Sequence, residues 1–329
     1  MGLAGWAART RGAAAFVGAA VLAAGAALAA WVGVAVVRPP SSAENGAASA
    51  GLERALRLAA ETPPHADCFV SPAQFEKAVE GAPRVAAEVA AGRGEPVAAV
   101  VPHHVVAGRL AAGLLAYLAA DPPETLVIVG PDHAGAGPPV GTSFGVWRTA
   151  FGPVEVDAPL TAALLDSGLA REAWAVHDKE HSLGALMPFV KSYLPRTKVV
   201  AVTVRRDLSL TEAAALGRFL AERAPAEGRL FVLASVDFSH YLPLAEADRR
   251  DAATLAALRA GDWASLFAMG PGNLDSPAAL AVAFSFAGAL EAPDFQVVEH
   301  TNSALLLGQP DSAETTSHFL LLVRARPGL

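Results

Sequence analysis

Three apolar runs in this sequence end in histidine. Residues 97–101 run into Pro102-His103-His104, residues 126–129 into Gly130-Pro131-Asp132-His133, and residues 230–234 into Ser235-Val236-Asp237-Phe238-Ser239-His240. Imidazole nitrogen and carboxylate oxygen are the donors a catalytic first-row metal takes, and two histidines with one carboxylate leave positions open for substrate and for water or oxygen. His103 and His133 are the first two candidate ligands. Asp275 is the third, in the Gly/Asn-containing loop 270–276 just before Pro277. Asp-Ser-Pro is equally the way a helix begins, so both a ligand and an N-cap role stay open for Asp275. His240 is placed for general acid or base work, with Asp237 either orienting its ring or bonding a ligand histidine; the alternative is a satisfied turn. His181, after Glu180, is expected to line the same pocket as a further catalytic candidate. Ser182 could cap a helix over 183–193 whose N-terminus would favour an anion. His104 follows His103 on an extended chain and so points elsewhere. His177, Asp178, His300 and Asn302 are weaker candidates, and His65 and His318 read as structural.

These side chains can meet only if the runs that carry them lie side by side. Short, continuous apolar runs closed by Pro or Gly read as parallel strands buried on both faces, and ligands of open α/β sheets bind outside the strands' carboxyl ends. Between the first two runs lies a helical stretch, 105–119, stopped by Asp121-Pro122-Pro123, which completes a βαβ unit. Ser71-Pro72 opens an earlier helix, expected to reach about Glu80. A further buried strand is expected at 198–204, helices at 52–60, 159–169, 211–223, 244–260 and 277–290, and late strands at 295–299 and 318–323. The fold class is α/β, a central, mostly parallel sheet flanked by helices.

The chain has 329 residues, enough for a sizeable core, and a net charge of −7. With no basic cluster interleaved with aromatics, nucleic acid is not an expected partner. One cysteine, Cys68, excludes intrachain disulfides and thiolate zinc sites. Mean hydropathy is high, +0.37, partly because residues 12–37 carry no charge. As a helix they would exceed the ~30 Å hydrocarbon core. Arg9 and Arg11 precede them, so the expectation is a cytoplasmic N-terminus at 1–11, a single transmembrane anchor or cleaved signal at 12–37, and a membrane-anchored, extracytoplasmic or secreted domain. Residues 38–60 would be linker and lead-in helix, and 61–329 the folded domain.

Four signatures in order carry a resemblance: Pro102-His103 after its apolar run, Gly130-Pro131-Asp132-His133, Glu180-His181-Ser182 with Met187-Pro188-Phe189, and Asp237-Phe238-Ser239-His240-Tyr241. In order and spacing they resemble the Memo family, also called AmmeMemoRadiSam system protein B. The resemblance implies a fold like that of the catalytic subunit of class III extradiol ring-cleaving dioxygenases. It also implies a mononuclear metal site with His103 and His133 as ligands, and His240 in the acid/base position. Many members offer cysteine as the third ligand; here Asp275 is nearest in position. A two-histidine, one-carboxylate set suits Fe(II), with Zn or Cu as alternatives. Two functions follow: a metal-dependent dioxygenase-like oxidoreductase acting on a small molecule, or a non-catalytic metal-binding or scaffold protein with protein partners of the AmmeMemoRadiSam system. Metal-assisted hydrolysis would lack the extra carboxylates of a two-metal centre.

Overall fold

A computed structural model describes residues 42–66, 68–224, 228–292 and 294–325 of the protein. Apolar residues alternate in it between two faces of one sheet. In β1 (Pro96–Val101), Ala98 and Val100 enter one core while Ala99 and Val101 enter the other. β2 (Thr125–Pro131), β7 (Lys198–Val204) and β8 (Leu230–Ser235) do the same, each buried on both sides. Strands so buried need helices on both faces. One face is covered by α2 (Pro72–Ala90), α3 (Gly108–Leu118) and α7 (Met187–Tyr193). Over the other lie α4 (Ala158–Asp166), α8 (Leu210–Arg223) and α11 (Pro277–Ala289).

The sheet has eight strands in the order β6-β3-β7-β2-β8-β1-β10-β9, and its four central members are mutually parallel. The short β3 (Val140–Thr142) runs antiparallel to β7 and pairs with β6 (Arg171–Glu172) at that edge. β9 (Phe295–Asn302) and β10 (Ser317–Arg324) form an antiparallel pair at the other edge, where β10 is antiparallel to β1. The chain direction of β10 matters for function, because its first residues lie at the edge where β1 ends. A hairpin of β4 (Trp147–Thr149) and β5 (Gly152–Val154) stands apart as a two-stranded sheet.

Several expected boundaries shift. The helix α1 (Ser42–Glu61) begins inside the stretch read as linker. The helix after Ser71 continues to Ala90, through Pro83, with Ser71 and Gln74 forming a capping box. The expected single helix over 183–193 is instead two pieces, α6 (His181–Gly184) and α7. The N-cap of α6 is Glu180, whose carboxylate accepts the Ser182 N–H. An internal carboxylate therefore already serves the helix end at which an external anion was expected.

The proposed membrane placement is corrected. Among the described residues no helix is long and apolar enough to cross a membrane, and residues 12–37, on which the anchor or signal reading rested, lie outside them. No anchor, and no extracytoplasmic location derived from one, is carried further. Residues from Gly51 onward form one compact unit that contains every side chain discussed below.

Candidate metal centre

Register brings the chemistry together. Val101 lies beside Ser235 in the parallel pair of β1 and β8. His103 and Asp237, each two residues further on, therefore leave the sheet at the same level. Val100 pairs with Leu321 across β1 and β10; three residues forward on one strand and three back on the other bring His103 level with His318. Pro102 has no N–H and ends the β1 ladder, and Pro131 closes β2, so that His133 projects from the loop beyond. The segment after β8 is tied down by bonds from Phe238 N–H to Ser317 O and from Ser317 N–H to Ser239 O. His103, His133 and Asp237 line a pocket of about 620 Å3 with His104, His181, His240, Asp275 and the apolar Val105, Val106 and Ala185.

Hydrogen bonds decide which nitrogen of each imidazole faces that pocket. The Ser235 hydroxyl lies 2.6 Å from the Ser182 carbonyl, to which it must donate its only proton. Its contact at 3.1 Å with His103 Nδ1 is then an acceptor's, so Nδ1 carries the hydrogen and Nε2 keeps a lone pair. For His133 the partner is Glu180: Oε1 is 2.8 Å from Nδ1, and Oε2 accepts the His133 backbone N–H at 2.9 Å. A carboxylate that receives the Nδ1 proton likewise leaves Nε2 bare, the arrangement by which proteins orient metal-ligating histidines. The two Nε2 atoms lie 3.3 and 3.9 Å from Asp275 Oδ2.

Asp275 does not cap the helix that follows. Ser276 does, its hydroxyl accepting the Ala279 N–H at 3.1 Å. Asp275 Oδ2 accepts the Asp237 N–H and Asp275 N–H returns the bond to Asp237 O, both at 3.1 Å, while Oδ1 is buried without a partner. Arg206 holds this loop through the carbonyls of Met269, Leu274 and Asp275, leaving the Asp275 carboxylate to face the pocket. Burial, reinforced by Asp237 nearby, pushes the Asp275 pKa well above the usual carboxylate range.

Burial holds His103 down at about 4, despite the carboxylate of Asp237 beside it. Burial also lowers His104, His181 and His240, so all are neutral imidazoles at neutral pH. For Glu180 burial acts upward, but its bonds with His133 and Ser182 win and hold it at about 2. Neutral histidines and ionised carboxylates are the ligand-competent forms.

Each of the residues singled out in sequence has a position. His103, His133 and His181 each bring a ring nitrogen within 4.8 Å of the others, and His103, Asp237 and Asp275 form a second such group. Asp237 directs Oδ2 toward His103 Nε2 at 3.5 Å and Oδ1 to His318 Nδ1 at 3.0 Å, so His318, not His240, is its hydrogen-bonded imidazole. His318, fully buried, thus lies behind the pocket, joined to it through Asp237. His65 does pack structurally, fully buried between the rings of Trp147 and Trp174. His177 lies beside it, Asn302 caps the short α12 (Ser303–Leu306), and His300 pairs with Asp251 away from the pocket. Glu180 and Ser235, which fix the two tautomers, carried no individual signal in sequence beyond their place beside a histidine and a strand end. Among the described residues, Phe69 and Tyr241, both non-glycine with positive φ, also border the pocket, and Tyr241 is 75% exposed.

Comparison with known proteins places the chain in a family. Residues 73–318 match the family model of Memo-like proteins, well over half the chain. A MEMO1 family protein of Pyrobaculum arsenaticum is 35% identical over 175 residues, 51% of this chain and 62% of that protein. One from Aquifex aeolicus is 34% identical over 167 residues, 50% of this chain and 61% of that protein. The matched stretch thus spans less than two thirds of these relatives. The crystal structure of the uncharacterized protein JW3007 from Escherichia coli K12 is similar at a TM-score of 0.45 and 12% identity, covering 69% of this chain and 99% of that one, a likeness too slight to argue from. On the strength of the match across 73–318, which contains all the pocket's histidines, this chain belongs to the Memo-like protein family.

Proposed function

We propose that the chain binds a divalent metal ion through His103, His133 and Asp275 and acts as a dioxygenase-like oxidoreductase, with Fe(II) as the ion and a small chelating molecule as substrate. One observation carries the reading. Two imidazoles whose Nδ1 protons are committed elsewhere aim bare Nε2 atoms at one oxygen of a buried carboxylate, and that carboxylate bonds no cationic side chain. Ligands about 2.1 Å from one ion lie roughly 3.0–3.5 Å apart. The 3.3 Å separation fits as it stands, and the 3.9 Å separation needs only a small closure.

His181 is the rival third ligand. Its side chain is 46% exposed, so water satisfies it, whereas the orphaned oxygen of Asp275 is costly unless a cation or proton takes it. Bound Fe(II) would supply a redox-active Lewis acid with open positions for oxygen and a chelating substrate. The chain's own groups do the rest. Neutral His240 and His181 stand on the pocket wall, able to accept and return a substrate proton. Val105, Val106 and Ala185 exclude water from one side, and no lysine or arginine lines the pocket to attract an anion.

The test is iron analysis of the full-length protein purified without oxygen, alongside His103→Ala, His133→Ala and Asp275→Ala. The expected result is one equivalent lost in each variant, together with oxygen uptake by the wild type on some member of a panel of aromatic diols. Wild-type protein that retains no metal overturns the reading. Bound iron with no uptake across the panel removes the oxidoreductase and leaves a metal-binding protein.

A further inference from the structure

The proposed site leaves three buried imidazole nitrogens unexplained. His104 Nδ1, His240 Nδ1 and His318 Nε2 are each buried with no hydrogen-bond partner, and none belongs to the ligand set above. A buried polar atom without a partner costs about 1–3 kcal/mol, so two on the pocket wall and a third buried behind it require a reason. His318 is the most telling, being fully buried at the start of β10.

Asp237 links these rings to the first site. Its carboxylate is 3% exposed and bonds no lysine or arginine. One oxygen faces His103, and the other lies 3.0 Å from His318 Nδ1. His104 packs its ring 5.2 Å from that of His318, and His104, Asp237 and His318 each offer a ligand atom within 4.8 Å of the other two. A single cation in the first site would neutralise Asp275 and still leave Asp237 without a lysine or arginine partner.

We infer that His104, Asp237 and His318 form a second cation site beside the first, which takes a borderline first-row divalent ion such as Zn2+ or Co2+. The donor set of two imidazoles and one carboxylate favours these ions over Mg2+ or Ca2+, which take oxygen ligands. It also supplies from histidine the ligands for which the sequence offers no extra carboxylates. The inference stands on residues outside the ligand set of the first site, and so is tested separately.

The experiment is titration of metal-stripped full-length protein with Co2+, read by the visible absorption of the bound ion and by bound metal after desalting, and repeated with Zn2+. Two equivalents are expected in the wild type. His104→Ala and His318→Phe, the second of which keeps a ring in the buried space, should each drop to one. Asp275→Ala should also drop to one, with the absorption of the remaining ion unlike that in His104→Ala. A wild type that binds only one equivalent, lost on His103→Ala, overturns the second site and leaves the first standing; no binding overturns both. Two equivalents retained in His104→Ala overturn the assignment even if His318→Phe fails to fold.

Discussion

Glu180→Gln separates orientation of a ligand from the ligand itself. Glu180 touches no substrate position; it accepts the His133 Nδ1 proton, the His133 backbone N–H and the Ser182 N–H, all between 2.8 and 2.9 Å. Glutamine keeps the shape but has one acceptor oxygen, so its NH2 group must face at least one of those donors. The carboxylate is held at about 2, against an ordinary value of 4.5. At about 1.4 kcal/mol per pH unit this amounts to about 3 kcal/mol of stability at neutral pH. Because the folded-state pKa is the lower one, that stability is complete above about pH 4.5 and is lost as pH falls toward 2. Urea unfolding across pH 3–7 should show the variant about 3 kcal/mol less stable at pH 7, with the difference shrinking in acid. Competition against a chromogenic chelator should show metal affinity reduced roughly 10- to 100-fold, since His133 loses the charged partner that orients it. A variant within about 0.5 kcal/mol of wild type, with the same acid limb and the same affinity, would refute the assignment of Glu180.

Ser235→Ala removes the acceptor of the His103 Nδ1 proton; metal affinity should fall roughly 10-fold or more in the same competition assay, and an unchanged affinity would mean that the tautomer is fixed otherwise. Metal affinity should rise with pH, because binding needs the ionised Asp275 carboxylate, whose pKa burial raises, whereas His103, held at about 4, is already unprotonated. Chelator competition across a pH series reads this directly, and an affinity independent of pH would refute the role of Asp275. Gly217→Ala tests the packing of α8 on α11: an added Cβ would lie 2.5 Å from the Val282 carbonyl and 2.8 Å from Phe286 N. Backbone cannot yield as a side chain does, so a loss of about 1–3 kcal/mol is expected on chemical unfolding, with bound metal unchanged in the protein that folds.

Much of the sheet was legible because its central strands are buried on both faces. A run such as 198–204, apolar almost throughout, has few other ways to fold, and it is β7 without a shift. The small edge strands β3 and β6, three and two residues long, leave no such signature. The helix after Ser71 extended ten residues past Glu80 because Ala82, Val85 and Val89 continue its buried stripe. That period is weak in sequence where alanines and Pro83 dilute it.

The site divides along the same line. Residues at the carboxyl ends of parallel strands could be found, since every such end faces one crevice, and His103, His133 and Asp237 follow from that rule alone. His318 could not, because it lies at the start of its strand, and only the antiparallel pairing of β10 with β1 brings a strand's beginning to the same edge. A residue read as the start of a late, outlying strand thus lies beside the first strand's histidine, hydrogen-bonded to Asp237 beyond the third run. Asp275 is the converse case. Asp-Ser-Pro allowed a cap or a ligand, and the choice rests on which hydroxyl or carboxylate meets the Ala279 N–H. Ser276 takes that bond, and by doing so frees the neighbouring carboxylate for a cation. Chain direction and a single hydrogen bond, neither of them a property of residue type, decide what these side chains can do.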